Sequence, residues 1–272
     1  MPRMNLSGGK QKWRKRIFCA AAPQTAGMNT VMQEGTIMKL AFVYTISTPA
    51  LEQLVAETFF REIGKFDGLI YRVPEALSEA MEKGSLTRKG AAQLMHTYLQ
   101  AITDGADVIV NCCSTVRAAA LEFEKVSKSY GVPMLQIDTE MLRVAGHMGR
   151  MVGVLATAGS TIEPTCSGIR AYASGRHIIC QARLADVFGA EDPELYREKL
   201  ISAARELAEF SDVIVLAQAS MAFLEKDIAQ ATGKPCLSSP GLAAKDMKRI
   251  VKIMESKKTL HRTESELYPA CH

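Results

Sequence analysis

The chain has 272 residues, of which 47% are hydrophobic and 23% charged, the make-up of an ordinary globular protein with room for a sizeable core. No apolar stretch approaches the roughly 18 residues of a bilayer span, so no membrane segment is expected. The net charge of +4 sits at the start: residues 1–37 hold six basic residues (Arg3, Lys10, Lys12, Arg14, Lys15, Arg16) against Glu34, and the near-neutral remainder gives no support for a nucleic-acid surface.

The first segment imitates an export signal, with a basic run followed by Ile17–Ala22. That apolar part is shorter than the ~7–15 residues of a signal core. The expectation is a disordered extension, or a start placed too early, over 1–37, with export as the alternative and the folded protein beginning near Met38. Seven cysteines is an odd number in a chain too long to need disulfide staples. Cys112, Cys113, Cys180 and Cys236 fall on or beside expected buried strands, which fits free thiols in a reducing, cytoplasmic setting. No Cys-x-x-Cys pair or Cys/His cluster has metal-ligand spacing, so no metal site is expected.

From Met38 onward, short β-branched runs alternate with amphipathic stretches. In chain order the spacing predicts strand 39–45, helix 50–63, strand 69–73, helix 86–102, strand 107–113, helix 116–129, strand 133–138 and helix 141–146. It then predicts strand 151–157, helix 162–173, strand 177–184, helix 194–209, strand 212–218, helix 221–232, strand 235–238 and helix 242–256. Runs such as Val108-Ile109-Val110 are apolar throughout, so both faces of each strand must be covered. That indicates parallel sheets wrapped by helices, an α/β fold. Thr48-Pro49 reads as a helix start, while Gly84, Gly131 and Gly233 read as helix stops.

A weak internal repeat runs through this pattern. Residues 40–48 resemble 152–160, and 106–115 resemble 211–220 more closely, at offsets near 110 residues. Two pseudo-symmetric copies of one four-stranded unit follow, with a boundary near Gly149: a first lobe over 38–148, joined by the C-terminal helix 241–256, a second lobe over 149–240, and a tail over 257–272. Ligands of such sheets bind beyond the carboxyl ends of the strands. The chemistry is therefore expected in the loops after residues 45, 113, 157 and 218.

Cys113-Ser114-Thr115 is the sharpest feature of those loops. A thiol there, at the start of a helix, lies among N–H groups that bind anions and favour a thiolate. Simple packing of a buried cysteine is the competing reading. Cys112 points to the opposite face and reads as core. Gln218 occupies the pseudo-equivalent position in the second half. It can orient a substrate or satisfy strand-end groups, but it cannot take a proton from carbon. Ser47, Thr48, Thr157, Ser160, Thr161, Ala219 and Ser220 fill the remaining loop ends. Helix capping explains any one hydroxyl; hydroxyls at all four ends suggest a small polar anion. His147 and Glu140 read as capping or solvated. Dinucleotide and P-loop motifs are absent.

The strand before Cys113-Ser114-Thr115, the run Val152–Thr157 and the run Val213–Met221 together resemble the aspartate/glutamate/hydantoin racemase superfamily, over about residues 38–255. The resemblance implies two flavodoxin-like lobes with the site between them, no cofactor, a small carboxylate or amino-acid-like substrate and, by analogy, a homodimer. It also implies two opposed cysteines that exchange a proton at the α-carbon. Cys113 matches the first, and Gln218 stands at the second. A racemase therefore needs another acid, Cys166 or a bound water. The alternatives are a single-cysteine decarboxylase or lyase of the arylmalonate decarboxylase type, and a non-catalytic carboxylate-binding protein.

Overall fold

The computed structural model describes residues 37–83, 86–187 and 192–267. The extension expected at the N-terminus, the stop signal at Gly84 and the last residues of the expected tail lie outside the described residues. In chain order the elements are β1 (Lys39–Tyr44), α1 (Pro49–Ile63), β2 (Asp67–Arg72), α2 (Pro74–Lys83), α3 (Arg88–Thr103), β3 (Val108–Asn111), α4 (Arg117–Ser129) and β4 (Met134–Gln136). They continue as α5 (Thr139–Met148), β5 (Met151–Ala156), α6 (Ile162–Tyr172), β6 (Ile179–Leu184), α7 (Pro193–Ala208), β7 (Val213–Leu216), α8 (Glu225–Thr232), β8 (Cys236–Leu237) and α9 (Ser239–Leu267).

The strands form two sheets in which every pairing is parallel, ordered β2-β1-β3-β4 and β6-β5-β7-β8. The two orders are the same, as the internal repeat requires. Each sheet is covered on both faces. On the first sheet, α1 and α9 bury one face through Val55, Phe59, Ala243, Ala244 and Met247. The opposite face is buried by α3 and α4 through Leu94, Tyr98, Ala120 and Phe123. On the second sheet, α5 and α6 cover one face and α7 and α8 the other. Two-sided cover is why Val108–Val110 and Val213–Leu216 are apolar at every position and fully buried.

Local chemistry sets the boundaries. The Thr48 hydroxyl accepts from the Leu51 N–H and Pro49 follows at the first helical position, so α1 starts there. Gly233 ends α8 at φ 67°, in the left-handed region that glycine enters without a steric penalty. Helix α2 has no counterpart in the sequence reading, although Pro74 begins it and buried Ala76 and Leu77 seat it. The expected helix 221–232 begins as a 3-10 turn over Ala219–Leu224 and becomes α-helical only at Glu225. Helix α9 runs past the expected end at Ser256 to Leu267.

The lobes exchange helices. Helix α5 follows the last strand of the first sheet, yet Met141, Leu142 and Ala145 pack on the second. Helix α9 follows the last strand of the second sheet and packs on the first. Among the described residues no helix is long and apolar enough to cross a membrane.

Candidate active site

In both sheets the strand order reverses direction between two central strands, β1 and β3 in the first and β5 and β7 in the second. The loops leaving such a pair splay to opposite faces and open a crevice at the strands' carboxyl ends. Thr45 follows β1, Cys113–Thr115 follow β3, Thr157–Thr161 follow β5, and Gln218–Ser220 follow β7.

β3 ends at Asn111, so Cys113 lies in the loop two residues beyond the strand rather than on its last residue. Asn111 holds that loop in place. Its Nδ2 donates to the Cys113 carbonyl at 3.0 Å and to Gln136 Oε1 at 2.7 Å, while its Oδ1 accepts from the Tyr98 hydroxyl at 3.0 Å. All three side chains are buried. Cys112 packs in the core between the first sheet and α1/α9, whereas the half-buried Cys113 packs toward α3 and α4. Neighbouring residues of an extended chain point to opposite faces, and here they do.

Two influences act on the Cys113 thiol. Burial raises its pKa. The Thr45 side chain, the Val116 and Thr115 N–H groups and the Thr115 hydroxyl act in the opposite sense. Burial prevails, so the thiol of the unliganded protein titrates above its ordinary value. Helix-start donors by themselves would lower it. The donors are present, but removing the sulfur from water outweighs them. The Thr45 hydroxyl is buried without an oxygen or nitrogen partner and faces that sulfur.

The two lobes meet at this loop. Thr115 Oγ1 and Ser160 Oγ share a hydrogen bond of 3.3 Å. Ala219, after β7, is 9% exposed and packs with the core of the first lobe. Behind the contact, buried Arg117 at the start of α4 pairs with Asp138. The same guanidinium donates to the Thr139 hydroxyl at 3.3 Å and to the Tyr172 hydroxyl, on α6, at 2.9 Å.

Gln218 is committed within its own lobe. Its Oε1 accepts from the Thr157 N–H at 2.8 Å and its Nε2 donates to Thr157 Oγ1 at 2.7 Å. Both ends of the amide thus tie the β7 loop to the β5 loop. The Tyr196 phenol, on α7, reaches the same two loops through the Thr157 and Ser220 hydroxyls, and burial raises its pKa. Its ring stacks on Phe223 at a centroid distance of 6.2 Å.

Other residues singled out from the sequence are engaged elsewhere. Thr48 caps α1. Ser47 donates to Glu52 Oε1 at 2.6 Å and accepts from Arg72 Nε at 3.3 Å, within a Glu52–Arg72 ion pair. Thr161 donates to the Ala158 carbonyl at 2.8 Å, closing its own turn. Ser114 is half-buried, and its carbonyl accepts from the Arg117 N–H at 3.1 Å. Glu140 pairs with Arg143 and Arg249, and a ring nitrogen of His147 lies 2.7 Å from the Arg143 carbonyl. Cys166, the candidate second acid, is 4% exposed in the core between α6 and the second sheet, beside Cys180. Asn111 was detectable as a polar residue ending an apolar run. Tyr196 carried no such signal, because an aromatic in an amphipathic helix reads as core.

The same layout occurs in known proteins. A sequence model described as Asp/Glu/Hydantoin racemase matches residues 47–247. An allantoin racemase from Klebsiella pneumoniae superposes with a TM-score of 0.58 at 15% identity, over 79% of this chain and 88% of that one. A glutamate racemase from Bacillus anthracis gives 0.59 at 13% identity, over 80% and 82%. An unliganded arylmalonate decarboxylase gives 0.50 at 14% identity, over 78% and 92%. At these identities the likeness is one of fold. No curated protein matches the sequence significantly.

Proposed function

The chain belongs to the Asp/Glu/hydantoin racemase family, and from that premise we propose that it transfers a proton at the α-carbon of a small carboxylate, with the Cys113 thiol as acid/base. The observation that carries this reading is the surrounding of that thiol: hydroxyls and N–H groups from one lobe, joined through Thr115 to Ser160 of the other. Abstraction of a proton next to a carboxylate places negative charge on the carboxylate oxygens. Fixed donors aimed at that charge lower the barrier more than they tighten substrate binding. Ser114, Thr115, Ser160 and Ser220 supply hydroxyls for this purpose, and the backbone N–H groups after β3 add to them.

The opposite face of the α-carbon needs its own proton donor. A glutamine amide does not donate a proton to carbon, and the amide of Gln218 is already held by Thr157. In this proposal Gln218 positions Thr157, and the Tyr196 phenol delivers the second proton. A one-sided variant is favoured by a different observation. The raised pKa of Cys113 keeps its thiol protonated near neutral pH, which suits protonation of a carbanion left by loss of CO₂.

Incubation in ²H₂O with glutamate, aspartate, allantoin and an arylmalonate separates these outcomes. α-Deuteration with inversion is the expected result for a racemase, and deuterated product with release of CO₂ supports the lyase. Exchange that persists unchanged in Cys113→Ser removes the thiol from the mechanism.

A further inference from the structure

Outside the site, the second lobe holds two neighbouring cysteines in one apolar cluster. Cys166 lies on α6 and Cys180 on β6, the edge strand of the second sheet. Cys180 Sγ lies 3.9 Å from the Cys166 carbonyl oxygen. The two side chains influence each other's ionisation, Cys180 being favoured as thiolate and Cys166 as thiol. Both cysteines are unbridged in this structure. Their exposure differs: Cys166 is 4% exposed, while Cys180 is half-buried on a strand whose outer residues Ile179 and Leu184 are 45% and 51% exposed.

We infer that Cys166 and Cys180 form a redox-active dithiol that peroxide converts to an intramolecular disulfide, with Cys180 as the attacking sulfur and Cys166 as the resolving one. Proximity of the second sulfur is the condition for a sulfenic acid to close into a disulfide rather than oxidise further. The hydrogen bond from Cys166 lowers the pKa of Cys180, and Arg170 adds to this. The cost falls on Cys166, which is raised. One thiolate per pair is therefore favoured, and solvent contact assigns it to Cys180.

The step balances. The Cys180 thiolate attacks one peroxide oxygen, the O–O bond breaks, and the departing hydroxide takes up a proton to become water. Cys166 then attacks the sulfenic sulfur, the S–O bond breaks, and its oxygen leaves as a second water. Two thiols are oxidised and one peroxide is reduced. The bridge ties β6 to α6, the helix that begins directly after Ser160 and Thr161 and that carries Tyr172 against Arg117.

The test needs no substrate. The full chain, reduced and then treated with hydrogen peroxide, is blocked with N-ethylmaleimide and digested with trypsin. Cleavage after Arg150, Arg170, Arg176 and Arg183 places Cys166 in 151–170 and Cys180 in 177–183, each the sole cysteine of its peptide. The expected product is the two peptides joined, lighter than their sum by two hydrogens and separated by dithiothreitol. In Cys166→Ser, Cys180 should accumulate as a sulfenic acid trapped by dimedone; in Cys180→Ser, Cys166 should stay a thiol. The proposal is overturned if both wild-type residues remain thiols at peroxide levels that oxidise a free cysteine peptide. It is equally overturned if Cys180 proceeds to sulfinic acid, or pairs with another cysteine, while Cys166 stays reduced.

Discussion

Cys113 is held between burial, which favours the thiol, and four nearby donors, which favour the thiolate. Because burial prevails, the protonated form persists to a higher pH than in an exposed cysteine, and the nucleophilic form appears only above that point. Alkylation of Cys113 by iodoacetamide, followed by peptide mapping, should therefore show an inflection above that of a cysteine peptide. Thr115→Val, which removes one donor, should move the inflection higher still. An inflection at or below the peptide value contradicts this account. Tyr196 poses the complementary question. Tyr196→Phe keeps the ring on Phe223 and removes only the hydroxyl. If the phenol serves the second face, inversion should fall by roughly 10²–10⁴-fold, the usual worth of a positioned acid. Deuterium exchange on the Cys113 side should persist, and equal loss of both would instead indicate a structural role.

At the scale of elements, the periodic pattern located the strands but not their ends. Strands expected to reach Cys113 and Gln218 stop at Asn111 and Leu216, the last residues paired with β1 and β5. An apolar pattern does not register that limit. The difference matters, because it puts both residues in loops whose course is set by Asn111 and Thr157. Central strand β5 makes a stricter demand at Gly153. A Cβ built there would lie 2.6 Å from Ser211 Oγ, 3.2 Å from Ser211 Cβ and 3.4 Å from Leu207 Cβ. With β6 and β7 paired on either side, the strand has little freedom to retreat. Gly153→Ala should cost about 1–3 kcal/mol of stability, the range for an overpacked core, measured by denaturant unfolding. A neutral result would show that Ser211 and α7 give way.

Across the whole molecule, the two lobes are linked by the exchanged helices and by Arg117. That guanidinium is 5% exposed, pairs with Asp138, and reaches Tyr172 both through its hydroxyl and across its ring at 5.5 Å. One Asp138 oxygen is already buried without a partner. Arg117→Met would leave the whole carboxylate uncompensated, at a cost of about 3–5 kcal/mol for breaking a buried pair. Adding Asp138→Asn removes the stranded charge and should recover part of the loss. Urea titration of the single and double variants measures both. An Arg117→Met protein as stable as the parent would mean that water reaches Asp138 and that the pair adds nothing to stability.

The sequence alone determined the α/β class, the parallel sheets and the duplicated four-stranded unit. These follow from apolar periodicity, from the repeat and from residue types at strand ends, all of which are local in the chain. Only the tertiary structure decided what the singled-out side chains touch. It separated Thr48, a cap, from Thr115, which reaches the other lobe. It showed Gln218 engaged by Thr157, brought Tyr196 to the same loops, and placed Cys166 in the core beside Cys180. The physical reason is distance along the chain. Gln218 and Thr157 lie 61 residues apart, and Thr115 and Ser160 lie 45 apart. Contacts of that kind exist only once two sheets and their exchanged helices have packed.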